Sequence, residues 1–121
     1  MYQTPVALTF TAEAQADADG VHLFVAPRQM TIVGVSVCAE AFTGSPTGFN
    51  VDIQDDGADV ITAVAANSAG TPGTWLSTHL GGAQAPVRVA AGSAVELDIN
   101  LAGGSAPTAD YTIVLWALLG E

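Results

Sequence analysis

The sequence contains no lysine and only two arginines, Arg28 and Arg88, against 12 acidic residues, which gives a net charge of -10. Proteins that bind nucleic acid displace counterions with lysine and arginine. This composition therefore argues against nucleic acid and against anionic membranes as partners. Without lysine, the chain also cannot carry a phosphate-binding loop of the Gly-x-x-x-x-Gly-Lys type. Because only 12% of the residues are charged, part of the surface must be uncharged, which favours contact with another protein.

Cysteine and histidine are equally scarce. The single cysteine, Cys38, excludes an internal disulfide, and one cysteine with two distant histidines disfavours a Cys/His zinc site. Cys38 lies in the apolar run 32–39, so we predict a buried and unreactive thiol. We predict that His22 and His79 are polar side chains on or at the end of strands and are not catalysts. A Gly-x-Ser-x-Gly nucleophile motif is missing as well.

Long apolar runs are also missing. None approaches the roughly 20 residues that span a bilayer, and the segment MYQTPVALTF lacks a basic region followed by an apolar stretch. We therefore expect a soluble protein that is synthesised in the cytoplasm. The 121 residues fit a single domain, 1–121, whose core needs no disulfide or metal.

The chain does contain many short β-like runs, separated by clusters of Gly, Pro, Ser, Thr, Asn and Asp. The clearest run is 95–101, in which apolar residues alternate with Glu96, Asp98 and Asn100. No alternation of strands and helices is visible, so a parallel sheet is disfavoured. We predict an all-β fold, an antiparallel two-sheet sandwich that is jelly-roll-like, with roughly eight or nine strands. The residues predicted to be buried are Val51, Ile53, Val95, Leu97, Ile99, Ile113 and Leu115.

Three segments depart from simple alternation. The segment 11–20 is rich in alanine and has little to anchor a helix, so we predict a loop or a short frayed turn. The segments 29–42 and 111–119 are apolar on both faces. Because a strand of a two-layer sandwich meets the core with one face only, we expect a partner, including further copies of the chain, to cover the second face. In the segment 29–42, we predict that Met30, Ile32 and Cys38 lie on one face of the strand. Val33, Val35 and Val37 are predicted to lie on the opposite face.

Aspartates surround a predicted hairpin turn at 55–57. Hard cations bind where several oxygen atoms converge. The spacing of these aspartates does not match that of a calcium-binding loop, so we interpret the cluster as a solvated turn and predict no metal site. The four aspartates are Asp52, Asp55, Asp56 and Asp59.

Glu96 and Asp98 lie two residues apart on one strand face, a spacing compatible with a glycosidase pair. Sugar sites also need aromatic platforms, and the sequence contains two tryptophans. We therefore predict no catalytic residues and no cofactor. Trp116 is expected in the core or in an interface, and Trp75 is expected to pack at a strand end or to be exposed. Arg28 and Arg88 are candidates for interfacial ion pairs, or they relieve local acidic repulsion.

The segment 49–118 has a characteristic order of strands and turns. Its parts are Phe-x-Val-Asp-Ile-Gln-Asp-Asp-Gly, Pro-Val-Arg-Val-Ala-Ala-Gly-Ser, Val-Glu-Leu-Asp-Ile-Asn and Tyr-Thr-Ile-Val-Leu-Trp. In this order the chain resembles the small jelly-roll β-sandwich proteins of tailed-phage virions, including capsid decoration (cement) proteins. The resemblance implies a non-enzymatic protein on the outer capsid surface of a virion that clamps neighbouring subunits of the major capsid protein lattice, often as a homotrimer.

Two alternatives stay open at this point. Similar sandwiches occur in carbohydrate-binding modules and in phage tail or fibre parts, and a small glycosidase is the less favoured second alternative. For the capsid interpretation, the interface candidates are Arg28, Arg88, Trp75 and Trp116. Residues 1–5 are uncharged and are expected to extend as a docking arm.

Overall fold

The computed structural model describes residues 4–62, the backbone of residues 75–79, and residues 86–120. Within these ranges the chain forms nine β-strands and no helix, and thus no apolar helix long enough to cross a membrane. The strands are β1 (Val6–Ala16), β2 (Ala18–Val25), β3 (Met30–Thr43), β4 (Gly48–Asp55), β5 (Ala58–Ile61), β6 (Trp75–His79), β7 (Val87–Val89), β8 (Ala94–Ala102) and β9 (Thr108–Leu119).

The described strands form two sheets. One has the order β1-β9-β3-β6, with β7 paired to the start of β3, and the other has the order β2-β8-β4-β5. All pairings between these strands are antiparallel. The chain crosses between the sheets at each of its first three connections, and its first and last strands lie side by side. This is the strand order of an eight-stranded jelly roll with β7 added, so the predicted antiparallel, jelly-roll-like sandwich is confirmed.

The core lies between the two sheets and is filled by alternate residues of the strands. In β8 the apolar residues point inward, while Glu96, Asp98 and Asn100 remain partly accessible on the other face. This is the pattern that a period of two produces when one sheet face is buried. All seven residues predicted to be buried have a relative exposure of 0%: Val51, Ile53, Val95, Leu97, Ile99, Ile113 and Leu115.

The segment 11–20 is not the loop or frayed turn that its composition suggests. It completes β1 and begins β2, because β1 pairs with β9 along almost its whole length. The register shifts between Ala12 and Gln15, where Ala14 adopts a φ of 51° and its N–H donates to Asp110 Oδ1 at 2.7 Å. This β-bulge accommodates an extra residue in an edge strand. Pairing with a long neighbour has therefore overridden the weak strand propensity of the alanines.

The predicted faces of β3 are wrong for a related reason. Met30 and Ile32 face the core, and then the register with β9 shifts between Ile32 and Gly34. The extra residue reverses the inside and outside positions beyond it. Val35 and Val37 consequently join Met30 and Ile32 in the core instead of pointing away from it. The strand therefore does not need a partner to cover those two valines.

The second segment predicted to be apolar on both faces, 111–119, does have that character. In β9 the odd-numbered residues from Tyr111 to Ala117 are buried, and Val114, Trp116 and Leu118 alternate with them on the outside.

The hairpin at 55–57 joins β4 to β5, with Asp56 and Gly57 at positive φ. Residues 1–3 of the predicted arm lie outside the described residues.

Candidate functional site

The outer face of the five-stranded sheet carries a group of residues without charge. In antiparallel pairs, residues directly opposite each other project from the same face of the sheet. Trp116 lies opposite Ala7 on one side and Gly34 on the other, and Val114 lies opposite Thr9 and Ser36 in the same way. We call this group the uncharged patch: Ala7, Thr9, Thr31, Gly34, Ser36, Val114, Trp116 and Leu118.

Trp116 is the largest side chain of the uncharged patch. It is 38% exposed, and its indole Nε1 donates to Ser36 Oγ at a long distance of 3.4 Å. An indole that is half covered and weakly hydrogen-bonded offers apolar area and a donor to a partner, which is why tryptophan is enriched at binding interfaces. Of the two predicted places for Trp116, core or interface, the core is excluded. Trp75 pairs with Cys38 through the backbone, and its side chain is outside the described residues.

Both cationic side chains lie at one end of the uncharged patch. Arg88 in β7 is exposed and lies directly opposite Thr31, on the same face of the sheet. Arg28 is exposed too, and its guanidinium packs against Gly120, where an added Cβ would come within 2.9 Å of Nη2. Neither arginine forms an ion pair with another described residue.

Cys38 borders the uncharged patch but is covered by its neighbours. It is 5% exposed and has no disulfide partner. Burial raises the pKa of the Cys38 thiol, and the nearby carboxylate of Glu40 raises it further. The predicted burial of Cys38 is confirmed, and a thiol with a raised pKa is a poorer nucleophile and metal ligand than a thiolate.

The outer face of the four-stranded sheet has the opposite character, because carboxylates from four strands and their connections meet there. Asp52 in β4 lies directly opposite Asp98 in β8. One oxygen each from Asp52, Asp59 and Asp98 lies within 4.8 Å of the others. Of the four aspartates that sequence spacing grouped, Asp52 and Asp59 do converge, and Asp98 joins them from a different part of the sequence. Asp56 turns away and accepts a hydrogen bond from the N–H of Ala94 at 2.8 Å. We call these three carboxylates, together with Asp17 and Asp19, whose charges act on Asp98, the acidic cluster: Asp17, Asp19, Asp52, Asp59 and Asp98.

The neighbours of the acidic cluster are amides. Gln54 donates through Nε2 to Asp19 Oδ1 at 2.7 Å and to Asp59 Oδ1 at 2.9 Å, and Asn100 donates through Nδ2 to Asp52 Oδ2 at 3.3 Å. The N–H of Leu101 donates to Asp17 Oδ1 at 2.8 Å. Burial, followed by the charges of the other four carboxylates, raises the pKa of Asp98 above its usual range. Neutral donors thus offset only part of the repulsion between these carboxylates.

His22 and Glu96 lie beside the acidic cluster. His22 Nε2 is 3.1 Å from Glu96 Oε2, and His22 is largely exposed, as expected for a polar strand residue. Glu96 and Asp98 therefore have different partners. Apart from Trp116, on the opposite sheet, every described aromatic side chain is in the core or packs against it. The acidic face thus shows no described aromatic platform on which a sugar ring would stack.

An apolar groove opens where the edge strands β1 and β2 of the two sheets lie next to each other. Its volume is about 440 Å³, and the rings of Phe10 and Phe24 stack inside it with centroids 5.6 Å apart. Val25 at its rim is 59% exposed. The groove holds no charged side chain, so it provides apolar contact area but no chemistry. It is lined by Leu8, Phe10, Phe24, Val25, Pro27, Met30 and Leu119.

No family model and no curated protein sequence matches the chain. Among solved structures, it is similar to a chain of the cyanophage Pam1 capsid asymmetric unit, with 17% identity, a TM-score of 0.52, and coverage of 97% of this chain and 84% of that one. A chain from the acidic stable capsid structure of Helicobacter pylori bacteriophage KHP30 is also similar, with 12% identity, a TM-score of 0.49, and coverage of 98% and 95%. The EclA C-terminal domain, a sugar-binding protein, is similar as well, with 13% identity, a TM-score of 0.41, and coverage of 93% of this chain and 76% of that one. The fold is therefore one that also occurs in phage capsids.

Proposed function

We propose that this chain is a non-enzymatic structural protein of a phage virion that binds the outer surface of the capsid and stabilises it as a decoration protein. The observation that carries the proposal is the division of the sandwich into two unlike faces. The uncharged patch with Trp116 occupies one sheet, and the acidic cluster occupies the other. The uncharged patch would contact the major capsid protein, and the acidic cluster would face solvent.

The composition of the uncharged patch fits a protein interface. The centres of such interfaces are poor in charge and rich in aromatic residues, and a few central side chains supply most of the binding free energy. Trp116 has Val114 and Leu118 as neighbours on its own strand and Arg88 near the rim. Arg28 and Arg88 would pair with acidic groups of the capsid at this rim.

The net charge supports the outer surface over the inner one. A chain with a net charge of -10 is repelled by packaged DNA, which binds proteins through cationic side chains. The same charge keeps the solvent-facing side soluble and discourages random association. The fold shared with the Pam1 capsid chain is compatible with this location, since jelly rolls serve in virus capsids.

Two finer features belong to the same proposal. We propose a homotrimer, because three copies would hold three neighbouring capsid subunits and so clamp them together. We also propose residues 1–5 as an arm that extends along the lattice.

Carbohydrate binding by the exposed Trp116, or a place in the tail or fibre, is the competing function. The acidic face shows no described aromatic platform that favours carbohydrate binding.

Co-sedimentation with empty shells of the major capsid protein from the same phage genome tests the proposal. The wild-type chain should sediment with the shells in a saturable manner. Trp116→Ala should weaken binding by at least about tenfold, the effect of losing a central interface residue. Val25→Ala is the matched control, because Val25 is also an exposed apolar residue but lies outside the uncharged patch, and it should bind like the wild type. Equal binding of both variants, or no binding of the wild type, contradicts the proposal.

A further inference from the structure

One edge of the five-stranded sheet is open along the first part of β1. Among the described strands β1 pairs only with β9, so its other side presents backbone N–H and C=O groups to a further strand. The pairing with β9 runs without a break from Val6 to Ala12, which is the longest regular register of any described edge strand. A long and regular edge is a template for strand addition, and native proteins usually block such edges with charges or bulges.

The segment 6–12 lacks both of these blocking features, since it contains no charged residue and no bulge. They stand at its ends instead. Pro5, which has no N–H to donate, precedes the segment, and the bulge between Ala12 and Gln15 follows it and contains the exposed Glu13. The open edge is therefore confined to seven residues, and the middle one is Thr9.

Apolar surface is exposed next to this edge. Leu8 and Phe10 pack towards the core side of the sheet and line the apolar groove. Three large apolar residues are exposed in the described part of the chain, and two of them lie here: Val6 in β1 is 36% exposed and Val25 at the groove rim is 59% exposed. Exposed apolar area beside an open strand edge marks an interaction surface.

We propose that β1 of a second copy of the chain binds this edge, in an antiparallel pairing about a two-fold axis at Thr9. The chain itself supplies the strand that the edge requires, because the segment 6–12 is extended, uncharged and open on one side. Charge favours the same approach, since two chains of net charge -10 repel each other wherever their acidic residues meet. In this register Glu13 of each copy lies near Pro5 of the other and not near the second Glu13.

The side chains match in this register as well. Backbone groups that point away from β9 belong to every second residue of β1, and a two-fold pairing centred on Thr9 joins residues of the same set. The two copies of Thr9 would meet on the outer face, which is a favourable cross-strand pair. Leu8 would meet Phe10 of the second copy on the inner face, so the two apolar grooves would adjoin and lose exposed apolar area.

This contact lies at the side of the five-stranded sheet, whereas the uncharged patch lies on its outer face. A two-fold contact does not build a trimer, so on a capsid it would join chains of neighbouring trimers. The pairing does not rest on the proposed capsid role, because it would form between free chains.

Sedimentation velocity of the free chain, from about 1 to about 100 μM, tests the pairing. The wild-type mass should rise to that of a dimer, or of a hexamer if trimers also form. Thr9→Lys should raise the dissociation constant of this contact at least about tenfold, because two like charges would meet at the two-fold axis. Since this variant makes the net charge less negative, general repulsion would not explain the weaker association.

Ala58→Lys is the matched control, because Ala58 is an exposed residue of the edge strand β5 in the other sheet. It should associate at least as strongly as the wild type. Far-ultraviolet circular dichroism checks that both variants fold. A wild-type chain that stays monomeric or trimeric over the whole range, or equal association of Thr9→Lys and Ala58→Lys, would overturn the proposal.

Cross-linking tests the register. Thr9→Cys should form a covalent dimer under mild oxidation, because the Cα atoms of directly opposite residues are close enough for a disulfide. Ala58→Cys should not, and neither should the wild type, whose Cys38 is buried. A dimer of Thr9→Cys that forms no disulfide, or cross-linking of Ala58→Cys to the same extent, would contradict the pairing about Thr9.

Discussion

At the scale of single residues, two carboxylates on one strand face have different environments. Glu96 lies 3.1 Å from the imidazole of His22. Asp98, two residues further along β8, is less solvated and is surrounded by other carboxylates, so its pKa is raised. The charges that act on it, in order of decreasing effect, are those of Asp19, Asp52, Asp59 and Asp17.

This environment predicts a pH dependence of the free energy of unfolding. The folded chain holds the Asp98 proton more tightly than the unfolded chain, so protonation stabilises the fold. That contribution is fully present below the ordinary pKa of 3.8 and is lost as pH rises through the raised pKa. Urea denaturation between about pH 3.5 and pH 7 should therefore show a decline of the unfolding free energy that is shallower in Asp98→Asn.

Glu13→Gln is the control for this measurement, because Glu13 is exposed and lies on the other sheet. It should show the same decline as the wild type. If Asp98→Asn and the wild type lose stability in parallel across the range, the carboxylates of the acidic cluster do not repel Asp98 as described.

At the scale of elements, strict alternation was enough to predict several strands. In β8 and β4 the sequence places apolar residues at every second position, and the structure buries them. The failures are β1 and β3, where bulges insert an extra residue. These bulges are set by pairing with β9, which begins 92 residues after the end of β1 (Ala16 to Thr108) and 65 residues after the end of β3 (Thr43 to Thr108), so counting along a single segment does not reveal them.

The acidic cluster was only half predictable for the same reason. Asp52 and Asp59 flank one hairpin, so their proximity follows from local sequence. Asp98 joins them only through the register of β4 with β8, which is a property of the folded sheet. In the sequence, Asp52 and Asp98 each lie at an outward position of a strand with regular alternation of apolar and polar residues. These positions predict that the two carboxylates meet only once the two strands are known to be neighbours.

The burial of β8 residues in the core predicts how a substitution in that strand changes the free energy of unfolding. Ile99 has an exposure of 0%, so Ile99→Ala should lower the free energy of unfolding by about 2–5 kcal/mol through lost burial and the cavity it leaves. Val25→Ala is the matched control at a site that is 59% exposed, and it should cost less than about 0.5 kcal/mol. Chemical denaturation measures both. Similar losses for the two variants would show that Ile99 is not packed as described.

At the scale of the whole molecule, the charges are unevenly distributed. The acidic cluster and Glu96 lie on the four-stranded sheet, while Arg28 and Arg88 lie at one end of the other sheet. Glu13, Glu40 and Asp110 lie on that other sheet too. Glu13 is exposed, whereas Glu40 accepts a hydrogen bond from the hydroxyl of Thr112 and Asp110 accepts one from the N–H of Ala14. In the proposed function, the five-stranded sheet would contact the capsid while the four-stranded sheet remains in solvent.

Electron cryo-microscopy of the capsid shells, with and without the added chain, tests the proposed position on the outer capsid surface. We expect additional density on the outer surface, grouped in threes, with the uncharged patch against the lattice and the acidic cluster towards solvent. Difference maps that show no added density, density on the inner surface, or the acidic cluster against the capsid would contradict it.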